Sequence, residues 1–357
     1  MDSSYILCFA DDFPSNGLFV LETDNDFVNH LQSNSAHGTV SFKGTSGNAA
    51  YCVTPDSTYK LLMSESSNTE LLVTPSTSKL NIHSSMTTMQ ELQESIPVFD
   101  LVLNYLNNNL YRGPELSEIE FEHYKDFAYL ESVAISSSQE LANFLREQQC
   151  ISLNGKEFTN GVVVKPCITY IDFLLDVVIS VCSENQDFSS KINLDDVISD
   201  LPSHDPSVVQ QILGYFSDSG HICPKALAIH KAKVILRDYE STYMPRELFC
   251  SEWSNSMKVM NFVPDFSLLA GIAVSVCVRD EKGNILEEFL TRIEIDSLSF
   301  NPLDRFLYLF KIKDQWEITE LEPYIKPLVS KEVSMDSLLS KYCRKVIGKK
   351  EMVYTKR

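Results

Sequence analysis

Cysteine and histidine are the residue types with which this sequence could do catalytic or metal chemistry. His221, Cys223 and His230 form the nearest metal-like cluster, but zinc takes four ligands and this spacing matches no standard zinc pattern. A Cys–His hydrolase needs one thiol paired with one imidazole, and no local pattern selects a pair among nine cysteines and seven histidines. A P-loop and a nucleophile elbow are absent from the sequence. We therefore predict no catalytic residue, no metal site and no cofactor.

Basic residues at the C-terminal end could contact phosphate groups. Residues 331–357 hold eight Lys and Arg against three Asp and Glu, which gives this stretch a charge of +5. A predicted helix over 334–347 places Lys341, Arg344 and Lys345 on one face, because their spacing is i, i+3 and i+4. We call the predicted DNA-contacting residues the basic tip: Lys341, Arg344, Lys345, Lys349, Lys350, Lys356 and Arg357. An alternative is a basic helix end favoured by the helix dipole and followed by a solubilising tail.

The remainder of the chain is strongly acidic. The 357 residues carry a net charge of −19, so everything outside residues 331–357 carries −24. Such a field repels polyanions and excludes a protein that coats DNA or an anionic membrane with its whole surface. The hydrophobic content of 44% is typical of globular proteins, and the length allows two or three folding units. Any DNA contact is therefore expected to be local and sensitive to salt.

The cysteines and the N-terminus predict the cellular compartment. The nine cysteines are scattered, form no Cys-x-x-Cys pair and lie mostly among apolar neighbours, which indicates reduced core residues. The N-terminus lacks the positive stretch of a signal peptide. The longest apolar run, 268–278, is too short to span a bilayer. We expect a soluble protein of a reducing compartment with no membrane partner.

Residues 5–74 alternate short β-forming runs with turn residues. The predicted strands are Tyr5–Ala10, Gly17–Glu22, Gly38–Lys43, Ala49–Thr54, Tyr59–Ser64 and Leu71–Thr74. Residues 66–68 predict a turn between the last two, and the polar stretch 76–95 predicts a linker or an irregular strand. The regular spacing predicts a small antiparallel β-barrel or sandwich, and its many edges suggest that a partner completes the sheet.

From residue 115 onward, helices followed by a hairpin recur along the chain. A capping box at Ser137–Glu140 opens a helix to about Gln149, and Asn154-Gly155 predicts a tight hairpin between Cys150–Leu153 and Lys156–Thr159. A buried helix over 170–182 carries a narrow solvated stripe, and Asp205-Pro206 begins another helix. Helices followed by a two-stranded wing are typical of winged-helix domains.

The predicted fold is α+β, with an N-terminal small antiparallel β-barrel or sandwich followed by tandem winged-helix domains. Residues 1–95 are the predicted β-rich partner-pairing domain. The predicted boundaries of the following domains are 96–165 for a first winged helix, 166–260 for a second helical or winged-helix domain, and 261–357 for a C-terminal winged helix with the basic tip.

An ordered set of residues resembles the sister chromatid cohesion DCC family (defective in sister chromatid cohesion). At the C-terminal end the resemblance is carried by Arg305-Phe306, Leu309-Phe310, Trp316, Glu322-Pro323-Tyr324-Ile325, Leu338-Leu339, Lys341-Tyr342, Val353-Tyr354 and Arg357. Tyr111-x-Gly113-Pro114 also resembles it, as does the pattern from Ala50-x-Cys52 through Thr58-Tyr59-x-Leu61 to Leu71-Leu72. Residues 160–300 contribute little to the resemblance.

The resemblance implies a non-catalytic nuclear protein of DNA replication and sister chromatid cohesion. In that family the N-terminal β region pairs with the small cohesion subunit and the large subunit of an alternative clamp loader, in a joint barrel. That complex also contains the replication factor C small subunits and acts on the sliding clamp PCNA. The winged helices are associated with DNA and with polymerase epsilon, and the ATPase lies in other subunits.

Two other classes of function stay open at the level of sequence. The first is a protein–protein scaffold of winged-helix domains that does not bind DNA, in which the basic tip meets an acidic partner. The second is a cryptic Cys-dependent enzyme, which would need one thiol of selectively high reactivity.

Overall fold

The structure is a computed structural model with mixed α and β secondary structure, which confirms the predicted α+β class. It describes residues 6–11, 13, 20–33, 40–44, 49–76, 79–115, 118–155, 157–158, 160–184, 191–279, 285–329, 333–347 and 352–357. The chain divides into two compact units. The first unit is Met1–Pro97 with Ile135–Glu140, and the second is Val98–Ala134 with Leu141–Arg357.

The first unit is built on one mixed sheet. Its elements are β1 (Ile6–Phe9), β2 (Leu21–Glu22), α1 (Asn25–Ser33), β3 (Ser41–Lys43), β4 (Ala50–Val53), β5 (Thr58–Pro75) and β6 (Lys79–Glu94). The strand order is β1-β6-β5-β4-β3, and β2 follows β1 along the same edge of β6. Because β1 and β2 run parallel to β6, the sheet is not purely antiparallel as predicted. No sheet of the described residues closes into a barrel.

Two predictions concern the middle of this sheet. The stretch predicted as a linker or an irregular strand is the strand β6, which pairs with β5 from Glu94 to Leu80 and confirms the second alternative. Its polarity misleads because only one face is covered, and Ile82, Ser84 and Leu92 are buried between exposed or half-buried polar residues. The predicted turn at 66–68 is a shift in register inside β5 rather than a chain reversal, since β6 supplies partners on both sides of it.

The segment Ile135–Glu140 is bound to the end of β5. The Glu140 carboxylate accepts hydrogen bonds from the Ser137 backbone N–H (2.8 Å) and from the Thr58 hydroxyl (2.6 Å). The Ser137 hydroxyl accepts from the Glu140 backbone N–H (3.0 Å), which confirms the predicted capping box. Thr58 and Ser137 are fully buried. One carboxylate therefore both starts a helix and anchors a strand some 80 positions earlier.

The second unit begins with a four-stranded sheet and its helices. The elements are α2 (Asp100–Asn108), β7 (Leu110–Tyr111), α3 (Glu118–His123), β8 (Lys125–Asp126), α4 (Phe127–Val133), α5 (Ser138–Glu147), β9 (Ile151–Leu153) and β10 (Val162–Pro166). The strand β9 pairs with β10 and not with the predicted hairpin strand at 156–159, of which Lys156 and Thr159 lie outside the described residues. The longer loop buries Phe158 in the hydrophobic core, and the Phe158 N–H donates to the Ser152 hydroxyl (3.0 Å).

Helices dominate the middle of the second unit. The elements are α6 (Ile168–Glu184), α7 (Leu194–Ser199), α8 (Pro206–Gly214), β11 (Ser217–Asp218), β12 (His221–Ile222), α9 (Pro224–Asp238), β13 (Tyr243–Pro245), α10 (Arg246–Ser256), β14 (Ala273–Arg279) and β15 (Ile285–Arg292). Asp205 caps α8 as predicted, since its carboxylate accepts from the Ser207 N–H (2.8 Å). Within the described residues, no helix has the length and apolar character needed to cross a bilayer.

The C-terminal part of the second unit places three helices against a three-stranded sheet. The elements are α11 (Pro302–Ile312), β16 (Gln315–Glu317), α12 (Ile318–Ile325), α13 (Met335–Tyr342), β17 (Cys343–Ile347) and β18 (Met352–Lys356). The predicted helix 334–347 is wrong beyond Tyr342, where the chain becomes extended. The reason is the antiparallel pairing of β17 with β18, which lies between β16 and β17.

Arg305 is buried in this part of the molecule although it is charged, with 1% of its surface exposed. Its guanidinium donates to the backbone carbonyls of Ser299 (2.7 Å) and Leu298 (2.8 Å). A further bond goes to the Tyr324 carbonyl at the end of α12 (2.8 Å). One side chain therefore holds the approach to α11 and the end of α12 together.

Replacing Arg305 by Met is expected to lower the free energy of unfolding by about 3 kcal/mol, because buried carbonyls lose their donors. Urea unfolding followed by tryptophan fluorescence measures this difference. Arg112→Met is the matched control, since Arg112 is exposed in the same unit and should change stability by less than about 0.5 kcal/mol. Equal midpoints for the two variants would contradict the structural role of Arg305.

Candidate nucleic-acid interface

The histidine cluster considered as a metal site is engaged in other contacts. In the described part of the chain, no three His, Cys, Asp or Glu side chains come together as ligands for a metal ion. His230 is buried on α9, with Nε2 3.2 Å from the Asp172 carboxylate and its ring edge-on to Phe216. All nine cysteines are free thiols, and four of them, Cys52, Cys150, Cys182 and Cys343, are buried. Burial raises the pKa of the Cys52 and Cys343 thiols to about 11, which disfavours the reactive thiolate.

The polar stripe predicted on α6 is partly covered by α9. Lys231 donates to the carboxylates of Asp172 (2.8 Å) and Asp176 (2.7 Å). Burial alone would raise the pKa of Asp172, but the contacts with His230 and Lys231 outweigh it and lower that pKa to about 2. Burial also lowers the pKa of His230, so this imidazole is neutral near pH 7. The network holds helices α6 and α9 together.

The basic tip is divided between three elements. Lys341 lies in the last turn of α13, Arg344 and Lys345 on β17, and Lys356 on β18, with Arg357 directly after it. All five side chains are exposed. Lys349 and Lys350 lie outside the described residues. Because helix α13 ends at Tyr342, the prediction that Lys341, Arg344 and Lys345 share one helical face is wrong.

The pleat of the sheet decides which tip residues lie on the same side. Trp316 is fully buried and is paired in register with Tyr354, which is paired with Lys345. Residues opposite each other in register share a face, as do residues two apart on one strand, so Lys345 and Lys356 lie on the face of Tyr354. Arg344 neighbours Lys345 along the strand and therefore projects from the other face.

Two local contacts hold the remaining tip residues near Tyr342. The Arg357 guanidinium donates to the Ser340 carbonyl (2.5 Å), and the Arg357 backbone N–H donates to the Tyr342 carbonyl (3.3 Å). The Lys341 ammonium lies 5.3 Å from the centre of the Tyr342 ring. The structure thus brings Lys341, Lys356 and Arg357 to one end of the β17–β18 ribbon.

The tip residues keep their charge available for a ligand. Among the described residues, none of Lys341, Arg344, Lys345, Lys356 and Arg357 forms an ion pair with a carboxylate. Lys313, by contrast, is paired with Glu320 in the same part of the chain (2.6 Å). Exposed cations at a sheet end can contact successive phosphates of a nucleic acid, and they confer no base specificity by themselves.

Apolar side chains on the outer strands of the first unit form a second candidate surface. On the edge strand β1, Ile6, Leu7 and Phe9 are 56–70% exposed, and Phe42 on the opposite edge strand β3 is 67% exposed. The sequence predicted unpaired edges but did not identify these side chains. A run such as Ile6–Phe9, apolar at every position, is the signal for a strand that expects cover on both faces.

The chain is similar to known sister chromatid cohesion proteins over most of its length. The family model described as "Sister chromatid cohesion protein Dcc1" matches residues 18–325, so the basic tip lies beyond the matched region. The chain is 23% identical to the "Probable sister chromatid cohesion protein DCC1" of Dictyostelium discoideum over 97% of this chain and 95% of that protein. It is 23% identical to the "Sister chromatid cohesion protein DCC1" of Danio rerio over 99% of this chain and 93% of that protein. With the Saccharomyces cerevisiae protein of that name it shares 38% identity over 16% of this chain and 15% of that protein.

Acidification is expected to destabilise the second unit through Asp172 and His230. Burial makes the pKa of His230 lower in the folded protein than in the unfolded chain. The unfolded chain therefore binds a proton more readily, and the contribution of His230 to the free energy of unfolding falls as the pH drops below 6.5. Asp172, with a folded pKa of about 2 against an ordinary 3.8, contributes about 2 kcal/mol above pH 4, which is lost toward pH 2. Urea unfolding of Asp172→Asn between pH 7 and pH 3 should show lower stability at neutral pH and a shallower loss on acidification.

Asp176→Asn is the control, because Asp176 binds the same lysine but is 61% exposed. Its pH dependence should follow that of the unmodified protein. If the stability of Asp172→Asn fell with pH as steeply as that of the unmodified protein, Asp172 would not be the source of the acid destabilisation.

Proposed function

The chain belongs to the sister chromatid cohesion protein Dcc1 family, and from that premise we propose that it is a non-catalytic adaptor of an alternative replication factor C clamp loader. The observation that carries the proposal is the family match over residues 18–325, together with full-length relatives named as cohesion proteins. In this role the protein acts in the nucleus, in DNA replication and sister chromatid cohesion. The complex would act on the sliding clamp PCNA, with ATP hydrolysis in its other subunits.

The first unit is proposed to bind the small cohesion subunit and the clamp-loader large subunit, next to the replication factor C small subunits. Among the described residues, Phe27, Cys52, Tyr59 and Leu92 are the buried members of its hydrophobic cluster, while Ile6, Leu7 and Phe9 stay exposed on an edge strand. Exposed apolar edge strands favour pairing with another chain. A partner strand along β1 would cover these side chains.

The second unit is proposed to contain three winged helices. In each of three sheets, the first and middle strands pair antiparallel with the last strand: β8 and β9 with β10, β13 and β14 with β15, and β16 and β17 with β18. This is the strand order of a winged helix, with helices before and between the strands. The boundary predicted at 260/261 falls inside the second of these sheets. We therefore propose winged helices over 100–166, 224–292 and 302–356.

The basic tip is proposed as the DNA contact, through its exposed cations at the end of the β17–β18 ribbon. The body of the chain carries −24, so only a cluster of exposed cations without carboxylate partners can approach phosphate. The polymerase epsilon contact is proposed for the winged helix over 100–166, whose helix α5 carries Arg146 as its one basic residue.

A protein–protein scaffold without DNA contact is the second candidate function. The observation in its favour is the excess of acid over the whole chain, together with exposed apolar side chains in both units, such as Phe9 and Val263. In that case the basic tip binds an acidic surface of a partner. Binding to duplex DNA separates the two candidates.

Charge reversal at Lys345 and Lys356 together is expected to weaken duplex DNA binding by the full chain. The slope of log affinity against log salt should become shallower by about two, because each lost phosphate contact removes about 0.9. Fluorescence anisotropy with a labelled duplex over a series of sodium chloride concentrations measures both quantities.

Lys311→Glu with Lys326→Glu is the charge-matched control for this experiment. Both lysines are exposed in the same part of the chain and outside the basic tip, and the net charge changes equally. An equal loss of affinity in the control would mean that net charge, not the basic tip, governs binding. No DNA binding by the unmodified chain at low salt would favour the scaffold.

Phe9→Glu is expected to abolish co-purification of the small cohesion subunit and the clamp-loader large subunit. A buried carboxylate in the joint interface would lack a partner, at a cost of several kcal/mol. Pull-down of the tagged full chain with quantitative mass spectrometry is the measurement, and Phe42→Glu tests the opposite edge in parallel. Val263→Glu is the control, because Val263 is 86% exposed in the second unit. Full recovery of both subunits with Phe9→Glu and with Phe42→Glu would rule out both edges.

A further inference from the structure

A cavity of about 440 Å³ lies inside the second unit, away from the basic tip. Its walls are formed by α9, by the end of α5 with β10, and by the end of β15 with the glycine-containing stretch 270–272. This volume is in the range of pockets that hold small ligands. Neither the cohesion family match nor the proposed DNA contact assigns a role to it.

The charges lining the cavity are opposite to those of the chain as a whole. Lys165, Lys233, Arg237 and Arg292 line it, and Glu294 is the one carboxylate among its described lining residues. A protein with a net charge of −19 has four cations converging on one cavity here. Like charges brought together repel each other, so a cluster of this kind is stabilised by an anion placed between them.

Lys165 is positioned by neutral groups rather than by an acid. Its ammonium donates to the side-chain amide oxygens of Gln148 (2.7 Å) and Asn107 (3.4 Å), both of which also line the cavity. Amide oxygens orient the ammonium without cancelling its charge. The result is a half-buried lysine held in one place with its full charge.

The two arginines retain donors for a ligand. Arg237 uses its Nε and one terminal nitrogen on the exposed carboxylate of its neighbour Asp238. Arg292 Nε lies 3.6 Å from Glu294, which is longer than a hydrogen bond. Because a guanidinium carries five N–H donors, both side chains can donate to further oxygen atoms.

Helix α9 supplies a regular row of groups to the same cavity. His230, Lys233 and Arg237 are spaced i, i+3 and i+7 and therefore line one face of the helix. The Lys233 charge is close enough to His230 to help lower the pKa of that imidazole, along with burial. The face of α9 that meets the cavity thus carries two cations, Lys233 and Arg237, about one turn apart.

We propose that this cavity is a binding site for a phosphate group, carried by a small phosphorylated ligand of about mononucleotide size. Lys165, Lys233, Arg237 and Arg292 supply the positive charge and the N–H donors. Planar guanidinium groups paired with ammonium groups match the oxygens of phosphate. Glu294, at the rim beside Arg292, can accept a hydrogen bond from a hydroxyl of the rest of the ligand.

Isothermal titration of the full chain with pyrophosphate, at an ionic strength held constant with sodium chloride, tests the proposal. Lys233→Gln with Arg292→Gln is expected to weaken binding by about tenfold or more. Both side chains are well exposed, so the variant is expected to fold, and its unliganded melting temperature verifies this. Lys225→Gln with Lys258→Gln removes two exposed cations outside the cavity and should bind as tightly as the unmodified protein.

Further titrations distinguish the source of the phosphate and the location of the site. A nucleoside monophosphate and phosphoserine are titrated in parallel, and tighter binding of one identifies the class of ligand. The Lys345→Glu, Lys356→Glu variant should keep pyrophosphate binding, so failure of the DNA proposal and failure of this one are separate results. Absence of heat with all three compounds, or equal loss of affinity in the Lys225 and Lys258 control, would overturn the proposal.

Discussion

The alternation of side chains along β17 and β18 is the constraint on which the candidate DNA surface depends. Trp316 and Tyr354, paired across β16 and β18, fix which side of the sheet faces the core. Because strand side chains alternate with a period of two, every cation on β17 and β18 is then assigned to a face. For this reason Lys345 and Lys356 lie on the face of Trp316 and Tyr354, and Arg344 lies on the opposite face although it is adjacent to Lys345 in sequence.

The acidity of the chain restricts where anions can bind. A charge of −24 outside the last 27 residues repels polyanions at long range, and salt limits that range to about one Debye length of 10 Å. Anions can therefore bind only where several cations are held close together. The basic tip does this on an exposed sheet end, and the cavity beside α9 does it with groups of which some are half-buried. The first geometry suits a long polymer and the second suits a small ligand.

Features encoded within one turn of chain were predictable, and features set by distant pairing were not. The Ser137–Glu140 capping box and the Asp205 cap follow from local side chain to backbone bonds, so the sequence predicted them. The hydrogen bond from Thr58 to Glu140 joins residues far apart in sequence, and the residues next to each of them give no signal for it. The end of α13 likewise depends on β18, because residues 343–347 become a strand by pairing with β18. Hence Lys341 could be placed on a helix from sequence, while the faces of Arg344 and Lys345 could not.

The first unit combines a small hydrophobic core with a large sheet, and the proposed adaptor role is based on this combination. Among the described residues, its hydrophobic cluster has four buried members, yet β5 and β6 extend for 18 and 16 residues. A sheet of that length exposes far more backbone and apolar surface than such a core can cover, which is why Met63, Leu71 and Leu72 remain accessible on β5. The hydrogen bonds of Glu140 and Ser137 to Thr58 fix only the end of β5 nearest Pro55. In this proposal partner subunits cover the apolar side chains that stay exposed along the ribbon, so that binding also stabilises the first unit.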